Sequence, residues 1–286
     1  MQFIFRHRFR LLPTILNSNF KMKNIFILLS AVLLVSCQKV IDINPPKGEE
    51  RVIIQAYLYE DSIARVVITK STDYLNNTPP PSLGTGTVTL SDDHGNTETL
   101  LWNAVKQQYE SVAMKGVVND TYTLQVDFEG KTYKSISILP ALEKNSSINI
   151  VFKPAQGFDE EGYYMQLTAT LSMNTKLYYL FKGYQNDSLL NDVNYINYAS
   201  NENTDGQIKD LDMYRYENDA VGKEAKLEVY SLTEPAYKFY NAASLQLNND
   251  GGFFSTPPAN VPSMFDNNAI GLFQCSSIQV LTKTIQ

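Results

Sequence analysis

Between residues 52 and 139 the chain alternates again and again between short β-branched or aromatic runs and turn-forming clusters. That rhythm restricts it to a fold of packed sheets. Residues 52–58 (Val-Ile-Ile-Gln-Ala-Tyr-Leu) and 64–70 (Ala-Arg-Val-Val-Ile-Thr-Lys) carry side chains that suit a pleated, half-buried surface. Pro79-Pro80-Pro81 makes residues 74–83 a loop. Residues 87–90 run into Asp92-Asp93-His94-Gly95-Asn96, where Gly and Asn tolerate the positive φ of a tight hairpin, and residues 97–102 return. Residues 109–114, 122–128 and 131–139 follow, the last two joined by Glu129-Gly130. A closed run of short antiparallel strands of this kind predicts an N-terminal immunoglobulin-like β-sandwich over residues 51–142, with Trp102 in or beside its core and Pro140 at its end.

Residues 143–286 read as a second β-rich domain with one short helix, so the chain as a whole is mainly β. Residues 147–152, 163–171 and 177–184 alternate as strands do. In the second of them Gln166, Thr168 and Thr170 line one face and Leu167, Ala169 and Leu171 the other. Residues 185–212 are rich in Asn and Asp and read as loop, and 226–232 is a further strand. Thr233-Glu234-Pro235 opens the helix: Thr233 can cap it, and Pro235 sits in the first turn, where a missing N–H costs nothing. Asn248-Asn249-Asp250-Gly251-Gly252 stops it. Residues 271–274 and 277–281 are closing strands, with Gly271 read as a glycine demanded by close backbone approach.

Ahead of these domains lies a leader. Lys21 and Lys23 precede an apolar run over 25–35, in which Ser30 is the one polar residue. The run is shorter than the ~20 residues a bilayer-spanning helix needs, and it fits the apolar region of a secretory signal. It ends in Leu34-Val35-Ser36-Cys37, the pattern of a bacterial lipobox, in which only a thiol can accept the diacylglycerol. Residues 1–36 are therefore read as a signal peptide with Met22 as its true start, and 37–50 as a lipidated tether stiffened by Pro45-Pro46. Two or more acyl chains give stable anchoring. No Asp follows Cys37, so the expected location is the outer membrane, lipid-anchored on its periplasmic face or at the cell surface.

Composition excludes several alternatives. The chain has 24 Lys and Arg against 30 Asp and Glu, and five of the cations lie in residues 1–37, which leaves the remainder near −11. Such a surface argues against nucleic acid and against a polybasic membrane patch. Once Cys37 is lipidated Cys275 stands alone, so each domain must hold through its core. Cys275 reads as a small buried strand residue.

Several features together resemble a lipoprotein family of Bacteroidota, the domain-of-unknown-function family numbered 4249. They are Cys37 followed by Ile41-Asp42 and the first strand; the Gly95-Asn96 hairpin with the Tyr109 strand and Thr121-Tyr122-Thr123-Leu124; Tyr230-Ser231-Leu232 leading into a helix with Tyr237 and Tyr240; and Pro257-Pro258-Ala259-Asn260-Val261 before Asn268-Ala269-Ile270-Gly271-Leu272-Phe273. The resemblance implies an outer-membrane or surface lipoprotein, often encoded beside a TonB-dependent transporter, and it brings no catalytic or binding residues. Residues 268–271 depart from the family's usual Asn-Gly-Gly-type segment.

Candidate sites are few. Residues 201–212 overlay the calcium-loop template, with Asn201, Asn203, Asp205 and Asp212 as oxygen ligands and Gly206 at the sixth position. A neutral first ligand, a short twelfth and the lack of flanking amphipathic helices favour an ordinary loop, so no metal is expected. Asp92-Asp93-His94 reads as a solvated hairpin, since neighbours on a tight turn rarely converge on an ion. No cofactor loop and no nucleophile elbow occurs. Tyrosines crowd the second half, and Tyr163, Tyr164, Tyr178, Tyr179 and Tyr184 are the expected contact surface. The leading expectation is a non-enzymatic surface lipoprotein, an accessory or ligand-capture partner of a TonB-dependent transporter. The alternative is a surface hydrolase acting on glycan or peptide through carboxylates the sequence does not mark.

Overall fold

The computed structural model describes residues 49–73, 76, 78–190, 196–202, 204–249 and 260–286. The leader, Cys37, the tether as far as residue 48, and Asn203 lie outside the described residues. Along the chain run β1 (Val52–Tyr59), β2 (Ile63–Lys70), β3 (Thr87–Asp92), β4 (Thr97–Thr99), β5 (Leu101–Asn103), β6 (Gln108–Lys115), β7 (Thr121–Phe128) and β8 (Lys131–Ile138). Then come β9 (Ser146–Lys153), β10 (Gly162–Thr170), β11 (Tyr178–Gln185), β12 (Ser188–Leu189), β13 (Asn197–Ser200), β14 (Gln207–Tyr216) and β15 (Glu224–Leu232). Helix α1 (Glu234–Leu247), β16 (Ile270–Ser276) and β17 (Ile278–Thr284) complete it. Among the described residues no helix is long and apolar enough to cross a membrane.

The first eight strands build two facing sheets in the orders β1-β2-β6-β5 and β4-β3-β7-β8. With β1 as the first strand of an immunoglobulin domain, these are the ABED and CFG orders with one extra strand beside C. The predicted immunoglobulin-like sandwich is thus the fold. Its inner faces interleave Ile54, Ala56, Leu58, Val66 and Ile68 with Val88, Leu90, Leu124, Val126 and Phe128. Residues 97–102, read from sequence as one returning strand, divide at buried Leu100, so β4 and β5 join opposite sheets. Tyr122, fully buried at the start of β7, donates its hydroxyl to the Lys115 carbonyl (3.2 Å) and accepts from the Val117 N–H (2.8 Å). That is the tyrosine corner of the immunoglobulin fold. Trp102 packs against the core and meets Tyr109 edge-on at 5.0 Å.

The second half forms a sheet of order β14-β10-β9 and another running β11-β15-β17, with β12 and β13 both on the free edge of β11. Met165, Leu167 and Ala169 of β10 meet Tyr179 and Phe181 of β11 and Leu227 and Val229 of β15 in a second core. Much of residues 185–212, read as loop, is therefore strand. β14 escapes the pattern because it is an edge strand with two register shifts against β10 and exposed Lys209, Asp210 and Asp212. Charges and bulges of this kind protect an open edge. The helix starts as its sequence indicates, with the Thr233 hydroxyl accepting the Ala236 N–H at 3.3 Å and Pro235 in the first turn.

The two halves are not separate in the way a cut after residue 142 implies. β16 comes back from the C-terminal region and pairs parallel with β1, Ile53 opposite Ile270 through Tyr59 opposite Ser276. Phe273 and Cys275 enter the first core, while Leu272 enters a third cluster with Tyr59, Tyr178, Leu180, Tyr230, Leu232 and Ala236. Burial on both faces is the property of a parallel strand. At the point where the chain leaves the first sandwich, the Pro140 carbonyl accepts hydroxyl hydrogen bonds from Ser231 (2.7 Å) and Ser277 (3.0 Å). The Ser231 hydroxyl in turn accepts the Ser277 N–H at 2.9 Å. Residues Gly48–Gln286 accordingly form one compact unit.

Gly271 carries the closest approach in this joint: a Cβ there would lie 2.2 Å from the Ile54 carbonyl oxygen of the neighbouring strand. Gly271→Ala must push β16 away from β1. A loss of about 1–3 kcal/mol is expected, the usual cost of overpacking. Urea unfolding of the variant beside the parent checks it, and an unchanged midpoint would refute the close approach.

Candidate functional site

Strand alternation decides the fate of the five sequence-selected tyrosines. Tyr163 and Tyr164 point to opposite faces of β10: Tyr163 packs toward the second core and against Phe152, and Tyr164 stands outside with Lys153 over its ring at 5.0 Å. Tyr178 and Tyr179 are both buried, again on opposite faces, Tyr178 in the third cluster and Tyr179 in the second core. Burial pushes the Tyr179 phenol up to about 12. Tyr184 is half-buried and donates to Glu228 Oε2 at 2.7 Å. The five do not assemble into one aromatic surface; Tyr178 and Tyr184 share a face of β11.

The calcium-loop candidates are taken up by the fold. Asn201 is buried, its Oδ1 accepting the Leu177 N–H (2.9 Å) and its Nδ2 donating to the Ser172 (2.8 Å) and Thr175 (2.7 Å) carbonyls. Asp205 Oδ1 accepts the Gln207 N–H at 3.0 Å, a local turn bond. Asp212 lies in β14, bound to Lys153 and to Gln166. Extended chain from Gln207 onward carries Asp212 away from Asp205, so the template's fifth and last positions do not close on a common point.

The hairpin between β3 and β4 differs from its sequence reading. Asp92 holds the turn by accepting the N–H groups of His94 (3.0 Å) and Asn96 (2.8 Å). Asp93 and His94 do converge, because Asp120, far along the chain, completes a group whose ligand atoms lie within 4.8 Å of one another. His94 Nε2 is 3.1 Å from Asp120 Oδ1 and 3.7 Å from Asp93 Oδ1. The group is solvent-exposed at His94, and it is an ion pair when the imidazole is protonated. Cys275 is a buried strand residue, its thiol pushed up to about 12 by burial.

The most distinctive polar group was not marked by sequence reasoning. It lies where the outer face of β1 and β2 meets the exposed end of the third cluster. Lys182 of β11 interrupts a face otherwise made of Tyr178, Leu180 and Tyr184, Glu228 stands opposite it on β15, and both are half-buried. Glu228 Oε2 accepts the hydroxyls of Tyr184 (2.7 Å) and Tyr230 (2.5 Å). Burial, and then hydrogen bonding to Glu228, raise both phenols, so they remain donors throughout the ordinary pH range. Lys182 Nζ lies over the Tyr230 ring at 4.9 Å, and the Arg65 guanidinium over the Tyr59 ring at 5.4 Å. Burial lowers the Lys182 ammonium, the nearby Arg65 lowers it further, and Glu228 opposes both. Among the described residues neither cation has a carboxylate within ion-pair reach, whereas neighbouring Lys226 pairs with Asp187 at 2.5 Å. The Tyr57 and Tyr59 hydroxyls, beside the same group, likewise have no protein hydrogen-bond partner among the described residues. A lone Lys within Tyr-Tyr-Leu-Phe-Lys-Gly-Tyr and a lone Glu within Leu-Glu-Val-Tyr were the signals available.

The chain belongs to the family described as Domain of unknown function (DUF4249), whose model matches residues 38–282. A comparison with curated proteins gives no match.

The Asp120 hydrogen bond, followed by the charges of Asp120 and Asp93, raises the His94 pKa above its ordinary 6.5. A raised folded-state value means that His94 contributes stability at pH below 6.5 and loses it as pH climbs through the folded pKa. Of the two histidines, His7 and His94, only the latter lies in the compact unit Gly48–Gln286, so its imidazole signal is isolated in that fragment. Proton NMR titration should give a midpoint above 6.5, brought down by Asp120→Asn. A midpoint at or below the ordinary value would contradict the geometry.

Proposed function

We propose that this protein is a non-enzymatic lipoprotein of the bacterial outer membrane, held by acyl chains on Cys37, that acts as an accessory or ligand-capture partner of a TonB-dependent transporter. The observation that carries the reading is the leader: a basic start, an apolar run too short to span and a lipobox ending at Cys37 stand in register. The acidic remainder of the chain suits a surface that does not engage nucleic acid. Support for capture rather than hydrolysis comes from the cluster at Lys182. Glycosidase-type hydrolysis needs two carboxylates with separate roles. Glu228 is the carboxylate of that cluster, and one of its oxygens is occupied by two phenols. What surrounds it is a surplus of donors, the composition of a binding surface.

Cys37→Ser should abolish incorporation of a palmitate analogue and release the protein from the membrane fraction. Equal labelling of parent and variant would overturn the anchoring. Affinity purification of the lipidated protein in mild detergent should bring down a TonB-dependent transporter. Recovery of the lipoprotein without one would overturn the accessory role.

A further inference from the structure

We propose that Arg65 and Lys182 form the seat for the carboxylate of a monoanionic ligand, with the Tyr57 and Tyr59 hydroxyls available to its remaining lone pairs. The inference rests on the reading of the protein as a capture module and names the chemistry that it captures. Four donor groups stand together here: a guanidinium, an ammonium and two phenols. Among the described residues none of the four has a hydrogen-bonding acceptor, and the two cations meet only aromatic faces. A partly desolvated lysine beside an arginine is costly, because each cation raises the potential at the other. Within a folded protein such charges are ordinarily paired. Arg65 is exposed, and Lys182, Tyr57, Tyr184 and Glu228 are half-exposed, so the group opens to solvent and a ligand can reach it.

The charge count chooses the ligand. Glu110 stands opposite Arg65 in the strand pairing but is neutralised by Lys106 at 2.9 Å. That leaves two cations against one carboxylate, Glu228, so a single negative charge balances the group, whereas a dianion would be repelled by Glu228. Glu228 cannot swing to satisfy the lysine without abandoning the Tyr184 and Tyr230 hydroxyls, which would leave two buried or half-buried phenols unpaired. The planar fork of Arg65 suits a planar carboxylate, and the half-buried Tyr57 ring offers a surface for a ring-shaped body. A uronic acid and the free C-terminus of a peptide share that chemistry.

The test uses the lipidated full protein in nonionic detergent, titrated calorimetrically with two matched pairs: galacturonate and galactose, and N-acetylphenylalanine and its amide. At least one acid should bind about tenfold or more tightly than its neutral partner, the worth of a charge-assisted hydrogen bond. Which acid does so separates a sugar from a peptide source. Arg65→Gln and Lys182→Met should each remove the preference. Lys226→Met, whose ammonium already pairs with Asp187, should keep it. Lys182→Met should also melt higher than the parent, because it removes a desolvated cation and keeps the stem. Arg65 is exposed, so Arg65→Gln stays folded and tests the seat independently of any change in stability. Equal affinity for acid and neutral analogue, no binding of either acid, or a preference that survives both substitutions would overturn the seat. If the transporter still co-purifies in that event, the capture reading stands and only the ligand chemistry fails.

Discussion

The parallel pairing of β16 with β1 is the interaction on which the rest of the structure depends. Without it the immunoglobulin-like sandwich would present β1 as an open edge, and the third aromatic cluster would lose Leu272. One strand serves two cores: Phe273 and Cys275 face one, and Leu272 the other. Fully burying a side chain of this size contributes about 1.5–3 kcal/mol. The Ser231, Ser277 and Pro140 hydrogen bonds then hold the exit of the first sandwich against the second. The place where Arg65 of β2 comes near Lys182 of β11 exists only because these contacts bring the two sheets together.

That placement explains how an acidic protein can carry a local surplus of positive charge. Surface lysines such as Lys153, Lys223 and Lys226 are matched with nearby carboxylates, at small gain and small cost. Lys182 is different because its stem lies along Tyr230 while Glu228, the acid closest in the strand pairing, is turned to two phenols. The tyrosines that looked like a contact surface in sequence mostly serve as core, as Tyr178 and Tyr179 do, or as devices that orient Glu228, as Tyr184 does.

Local features were legible. The strands of the first sandwich, the Asp92–Asn96 hairpin, the Thr233 cap, the glycine demand at Gly271 and the burial of Cys275 follow from alternation, turn chemistry and residue size, all properties of a few neighbours. Long-range features were not. The return of β16 has no local signature, although β1 carried a hint: Ile53, Tyr57 and Tyr59 make its second face largely apolar, with Gln55 the exposed exception. β14 reads as loop because an exposed edge strand is selected for charge. Asp120 beside His94 and Arg65 beside Lys182 are meetings of residues distant in sequence, and only the sheet order brings them together.

The central claim is that the two β-sandwiches are fused into one cooperative body through β16. Differential scanning calorimetry of residues 48–286 tests it most directly. A single transition is predicted, with calorimetric and van't Hoff enthalpies in agreement. The fragment 49–142, which lacks β16, should then melt without a cooperative transition. Two separate transitions in the whole unit, one of them reproduced by that fragment at the same temperature, would contradict the account.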